Sequence, residues 1–168
     1  MIFSIIVPVF NEEKTILKVL NELKKVEFTK FQKEIIVVDD GSTDATRKLL
    51  DENKDLYTSL FFNEKNMGKG SAVRLGLKNA RGDYIVFQDA DLEYDPNDLL
   101  KFEKVFLKFN ADGVLGSRFT YDKYTRSHSV LNKIGNYILT FIFNILYNTT
   151  FTDIYSCYFA FDRKLINY

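Results

Sequence analysis

Tyr84-Ile85-Val86-Phe87-Gln88-Asp89-Ala90-Asp91 sets a short run of strand-forming residues directly against two carboxylates. The apolar part is too short for a helix and rich in the aromatic and β-branched residues that suit a buried strand. Acids placed right after such a strand put charge where it is expensive unless something compensates it. The fragment therefore predicts a strand that runs through a core and opens, at its carboxyl end, onto a polar site.

The same grammar repeats on either side. Toward the N-terminus, residues 3–9 form a β-branched run, and residues 12–25 place Ile16, Val19, Leu20 and Leu23 on one helical face. Residues 34–39 read as a second strand, broken at Asp40-Gly41-Ser42-Thr43, with Ser42 or Thr43 capping a helix to about residue 53. Residues 57–63 read as a third strand, and residues 68–80 as a helix with Ala72, Val73, Leu75 and Leu77 available for packing. Beyond the opening fragment, Asp95-Pro96 starts a helix through Phe109, and Gly113-Val114-Leu115-Gly116 reads as a fifth strand. This alternation predicts an α/β fold with a mostly parallel sheet flanked by helices. Ligands in such sheets sit beyond the carboxyl ends of the strands. Four polar clusters fall there: Asn11-Glu12, Asp39-Asp40-Gly41-Ser42, Asp89-Ala90-Asp91 and Ser117-Arg118.

Bulk properties narrow the class. A chain of 168 residues, 46% hydrophobic and without repeats or linkers, reads as one domain with a substantial core. Lys+Arg and Asp+Glu both number 23, so no net charge favours a nucleic-acid partner, and attraction to an anion must be local. Cys157 stands alone, cannot form an internal disulfide, and suits a reducing cytoplasm. The apolar start lacks a basic leader and reads as a strand, closed by Asn11-Glu12-Glu13. No run reaches the roughly 20 apolar residues of a membrane span.

Three clusters carry chemistry. Asp89 and Asp91, with Glu93 as a third oxygen donor, fit Mg²⁺ or Mn²⁺, which take one or two protein carboxylates and leave the rest to a substrate. The competing structural role is that Asp91 and Asp95 cap a turn and a helix. A carboxylate in Asp39-Asp40 can accept hydrogen bonds from a ribose or a base N–H. Asn66-Met67-Gly68-Lys69-Gly70 resembles a phosphate-cradling loop, with bare backbone N–H groups and a cation, yet lacks the full P-loop pattern.

Taken in order, six motifs resemble glycosyltransferase family 2, the GT-A-fold enzymes, in the branch similar to dolichyl-phosphate mannose synthase and bacterial polyprenyl-phosphate sugar transferases. They are Val7-Pro8-Val9-Phe10-Asn11-Glu12, the Val38-to-Asp44 run, Asn66-to-Gly70, Asp89-to-Pro96, Gly116-Ser117-Arg118-Phe119 and Thr152-to-Tyr158. The resemblance covers nearly the whole chain. It implies one Rossmann-like GT-A domain over 1–168, with a nucleotide-sugar part to about residue 120 and an acceptor side from about 121. It implies that Pro8, Phe10, Glu12, Val37 and Asp39 hold base and ribose, and that Asp89, Ala90 and Asp91 meet metal and diphosphate. Arg118 would sit near the phosphates and, with Asp91, act in catalysis. The implied reaction is inverting transfer of a hexose from a UDP- or GDP-sugar to a dolichyl or undecaprenyl phosphate. Two alternatives stand beside it: transfer to a glycan hydroxyl in cell-surface polysaccharide synthesis, and a nucleotide-sugar-binding module that has lost catalysis.

The last third bears on the acceptor. Arg126, His128 and Lys133 lead into an apolar stretch, residues 134–147, too short to span a bilayer. It suits either a core helix or a helix lying on a membrane surface, with the protein peripheral at the inner face. Arg126, His128 and Asp153 are the expected acceptor-side residues. Departures from the family pattern are Glu93 where Gln is common, Ala45 for Gly, and Phe159 where a cation is usual. The chain also stops at Tyr168, where family members continue, and reads as C-terminally short.

Overall fold

In the computed structural model, which describes residues 1–117 and 130–167, β1 (Ile2–Val9) lies at the middle of the sheet. Every residue from Phe3 to Val9 is buried, as expected of a strand covered on both faces. β1 pairs in parallel with β2 (Gln32–Asp39) on one side and with β4 (Tyr84–Phe87) on the other. The sheet order is β3-β2-β1-β4-β6-β5, with β3 at Ser59–Phe62, β5 at Gly113–Leu115 and β6 at Phe159–Asp162. β2 and β3 are parallel, whereas β6 runs antiparallel to β4. The helices are α1 (Ile16–Lys25), α2 (Thr46–Glu52), α3 (Lys69–Asn79), α4 (Leu99–Phe109) and α5 (Val130–Tyr147).

Ile16, Val19, Leu20 and Leu23 are the buried residues of α1, as their spacing predicts. Ile6, Ile36, Val38, Ala72, Ile85 and Phe161 form one core cluster, with Leu75 and Leu77 of α3 packed against it. α3 lies close to β1: a Cβ at Gly76 would fall 2.5 Å from the Ile6 side chain, so a larger residue there would push the helix off the sheet. Phe3, Phe28, Phe31, Tyr84 and Phe106 form an aromatic cluster with ring centroids 4.3–6.3 Å apart.

Local expectations differ in instructive ways. α1 begins at Ile16 rather than residue 12, because residues 12–15 turn first, with Ile16 N–H donating to the Glu12 carbonyl at 3.0 Å. Neither Ser42 nor Thr43 caps α2; the N-cap is Ala45, without a side-chain bond. Both side chains are committed to Asn11 instead: Asn11 N–H donates to Ser42 Oγ at 3.0 Å, and Thr43 Oγ1 donates to Asn11 Oδ1 at 3.3 Å, beside the Thr43 N–H bond to the same oxygen at 2.8 Å. Asp95 does cap, accepting from Asn97 N–H, but the Pro96–Asp98 turn precedes α4, which starts at Leu99. β6 had no counterpart among the expected strands.

The chain forms two compact units, residues 1–114 with the segment from 160 onward, and residues 115–159. In the second, α5 presents Asn136, Thr140 and Asn144 along one face at i, i+4 and i+8. Asn136 Nδ2 donates to Asp153 Oδ1 (2.8 Å), Ile154 N–H to Thr140 Oγ1 (3.3 Å), and Phe151 N–H to Asn144 Oδ1 (2.9 Å). Polar residues thus fasten the helix, while Leu131, Ile138, Phe141, Ile145 and Leu146 are 54–79% exposed. No helix among the described residues is long and apolar enough to cross a membrane.

Candidate functional site

The chain leaves β1 for β2 and β3 on one side, then returns to β4 on the other, so the order reverses at the β1–β4 boundary. Open α/β sheets bind ligands in the crevice made there. A cavity of about 300 Å³ occupies that position. β1 contributes Pro8 and Val9, and the following turn Phe10 and Glu12. The loop after β2 contributes Asp40, the Asn66–Lys69 segment contributes Asn66, Gly68 and Lys69, and α3 contributes Ala72. Asp89, Ala90 and Asp91 arrive from the end of β4.

Each wall is fixed by hydrogen bonds between elements. Asn11 takes a left-handed conformation, φ 54°, which Asn tolerates better than most residues. Its bonds to Ser42 and Thr43 tie the end of β1 to the end of β2. Glu12 N–H donates to Thr46 Oγ1 at 2.8 Å, and the Glu12 carboxylate accepts from the Thr15 hydroxyl. Asp44 accepts from Thr46 N–H and Glu13 N–H. Burial pushes the Asp44 carboxyl up, but the Thr46 and Glu13 donors outweigh it and hold the pKa below the usual carboxylate range.

Asp39 and Asp40 divide the work of the second wall. Asp39 is 1% exposed; its Oδ1 accepts from Ser42 N–H at 3.0 Å, while its buried Oδ2 has no hydrogen-bond partner among the described residues. A buried acceptor left open suits a ligand N–H or O–H. Asp40 turns the other way, and its Oδ1 accepts from Asn63 Nδ2 (2.6 Å) and Met67 N–H (3.1 Å). Just after them Gly41, φ 75°, lets the Lys65–Asn66 backbone approach so closely that a Cβ would meet it at 2.5 Å.

That close approach sets the third wall. Gly68, φ 86°, precedes α3, and the next residue, Lys69, places its ammonium 2.5 Å from Asp89 Oδ1. Asp89 has only 16% of its side chain exposed, so this cation offsets a mostly desolvated charge. Behind it, Gln88 is fully buried, and its Nε2 donates to the carbonyls of Asp89 (3.2 Å) and Tyr94 (3.3 Å). Asp91 is exposed, and its Oδ1 accepts from Glu93 N–H at 2.9 Å across Leu92, φ 65°. A non-glycine residue in that region stores roughly 1 kcal/mol or more, and such strained residues cluster at ligand-binding and active sites.

Pro8, Phe10, Glu12, Asp89, Ala90 and Asp91 therefore meet around one cavity. Val37 and Asp39 are buried and are not among the residues that line it. Glu93 is exposed beside Asp91. Arg118, Arg126 and His128 lie outside the described residues. Asp153 is 1% exposed in the second unit and accepts from Asn136. Among the described residues no three His, Cys, Asp or Glu side chains converge. The donor set still fits Mg²⁺ or Mn²⁺, which need only one or two carboxylates from the protein, and Asp89 already holds a cation in the Lys69 ammonium. Asp40 and Lys69, read from the sequence within the Asp39-Asp40 and Asn66-to-Gly70 clusters, both line this cavity; Gln88 was not singled out by the sequence.

The chain matches the family described as glycosyl transferase family 2 over residues 4–168. It belongs to glycosyl transferase family 2. Among its family-2 relatives, the UDP-N-acetylglucosamine–dolichyl-phosphate N-acetylglucosaminyltransferase of Methanococcus voltae is 31% identical over 96% of this chain. The chain spans 70% of that enzyme's length, and 64% and 50% of two other curated relatives. The structure of Staphylococcus aureus TarS residues 1–349 in complex with UDP-GlcNAc aligns over 77% of this chain and 38% of that one, at 30% identity and a TM-score of 0.59. TarS is a poly(ribitol-phosphate) β-N-acetylglucosaminyltransferase. The GT-A fold itself is shared with Mycobacterium tuberculosis glucosyl-3-phosphoglycerate synthase, crystallised with Mn²⁺ and UDP: TM-score 0.73, 23% identity, 97% of this chain and 57% of that one.

Proposed function

We propose that this family-2 domain transfers a hexose, with inversion, from a UDP- or GDP-sugar to a polyprenyl phosphate. The observation that carries the donor side is the Asp89-Ala90-Asp91 turn, placed at the strand-order reversal and facing Phe10, Glu12 and Lys69 across one cavity. The orphaned Oδ2 of Asp39 supports a role in accepting from a base N–H or ribose hydroxyl. A divalent ion on Asp89 and Asp91 would stabilise the negative charge of the departing diphosphate.

Within this reading the chain's own residues bind and orient. The bond between the anomeric carbon and the diphosphate breaks, its electron pair leaves with the nucleoside diphosphate, and an acceptor oxygen bonds to the opposite face of that carbon. Lys69 supplies positive charge on the leaving side, the role that the family resemblance also implies for Arg118. A phosphate acceptor is already anionic at neutral pH, with a second pKa near roughly 6, and attacks without a general base. The dolichyl-phosphate relative supports this acceptor, as does the apolar outer face of α5, which we assign to the membrane surface where such a lipid resides.

The test is an acceptor screen with UDP-GlcNAc, UDP-glucose and GDP-mannose in Mn²⁺, following nucleoside diphosphate release. Release that depends on a polyprenyl phosphate in detergent or vesicles is the expected result. Release with a poly(ribitol-phosphate) or other glycan, and none with the lipid phosphate, would replace this acceptor with a hydroxyl.

A further inference from the structure

Lys69 is bound to the first carboxylate of the Asp-x-Asp turn at 2.5 Å, and the way it is held there is built into the fold. Asp40 Oδ1 grips both Asn63 Nδ2 and Met67 N–H, Gly41 admits the Lys65 backbone, and Gly68 adopts φ 86° to begin α3 at Lys69. The ammonium is thus delivered to Asp89 by a fixed segment, and both ends of the pair line the same cavity. Asp89 is the less exposed partner, 16% against 52% for the Lys69 side chain.

We infer that Lys69 is the resident counter-cation of Asp89, competing there with the divalent ion and moving to the donor diphosphate when metal and nucleotide arrive together. This rests on the metal reading of Asp89 and Asp91. An ion that binds Asp89 through Oδ1 must displace Lys69, and one that binds through Oδ2 sits beside the ammonium, so in either case the ion alone leaves two positive charges side by side. A nucleoside diphosphate brings the anionic oxygens that Lys69 then pairs with, so the two ligands favour each other's binding. Such a coupling is reciprocal by thermodynamic linkage. Asp40 lines the same cavity, and its bonds to Asn63 and Met67 fix the segment that carries Lys69.

The experiment titrates Mn²⁺ into the protein and reads free Mn²⁺ by electron paramagnetic resonance, with and without UDP or GDP, for wild type, Lys69→Met and Lys69→Arg. Lys69→Met should bind Mn²⁺ alone about fivefold more tightly, the scale of one partly exposed ion pair. Its gain in Mn²⁺ affinity on adding nucleotide should shrink by at least that factor, while Lys69→Arg, with circular dichroism as a folding check, stays near wild type. Unchanged or weaker binding of Mn²⁺ alone by Lys69→Met overturns the inference, as does absence of Mn²⁺ binding in all three proteins. The arm without nucleotide involves no sugar or acceptor, so a failure of the proposed transfer reaction would leave its result standing.

Discussion

At the scale of single residues, Asp91 and Asp89 differ in what surrounds them. Asp89 is largely buried and paired with Lys69, whereas Asp91 is exposed and gives one oxygen to Glu93 N–H across the left-handed Leu92. That leaves the other Asp91 oxygen for a ligand without any loss of structure. Asp91→Ala is therefore expected to fold normally and to lose Mn²⁺-dependent nucleotide binding by tenfold or more, roughly the loss of one charged ligand. Calorimetry with UDP or GDP in Mn²⁺ measures it, and wild-type affinity in the variant would remove Asp91 from the metal. Asp89, Asp91 and the Asn11-Glu12 cluster stood out in the sequence because each follows an apolar run that ends in turn residues, whereas Pro8 and Phe10 entered only through the family resemblance. Gln88 did not stand out: a glutamine at the end of a strand reads as solvent-facing, and only the return of Tyr94 over it shows why it is buried.

Among the elements, α5 inverts the usual helix. Residues 134–152 contain no Asp, Glu, Lys or Arg, and the side chains of Asn136, Thr140 and Asn144 bond to the loop of their own segment. Helices in water do the opposite, keeping apolar residues inward, while a helix at a lipid surface must satisfy its polar groups internally. Ile138→Glu combined with Phe141→Glu should leave the fold intact, since both residues are more than half exposed, and should abolish flotation with anionic vesicles. Equal flotation of the variant and the wild type would remove α5 from the membrane. The apolar run was plain in the sequence. Which side of it faces out was not, because spacing alone treats a core helix and a surface helix alike.

Over the first unit as a whole, two buried glutamates tie distant segments together. Glu34 on β2 accepts from Ser4 Oγ on β1 and from Arg81 N–H and Nε just before β4. Glu103 on α4 accepts from the N–H groups of Thr29, Lys30 and Phe31 before β2. For both, burial pushes the pKa up, but the converging donors outweigh it and hold the carboxyl below its usual value. A pKa depressed in the folded state contributes stability above the unfolded value, about pH 4.3 for glutamate, and loses it as pH falls through the folded value. Urea unfolding between neutral and acid pH should show that decline beginning in the acid range. Glu103→Gln, which cannot replace four accepted bonds, should cost about 2 kcal/mol at neutral pH and flatten the decline. An equally steep decline in the variant would mean that Glu103 does not contribute to it.

Periodicity and punctuation alone determined that this chain alternates strands and helices, that its sheet is mostly parallel with buried inner strands, and that its acids cluster where strands end. These are local properties: burial on both faces writes itself into consecutive apolar residues, and turns require particular residue types. Only the tertiary structure decided that β6 inserts antiparallel beside β4, that Ser42 and Thr43 serve Asn11 rather than α2, and that Lys69 reaches Asp89. Each depends on which segments become neighbours across the sheet. A hydrogen bond or ion pair between residues twenty or thirty positions apart leaves no period in the sequence to read.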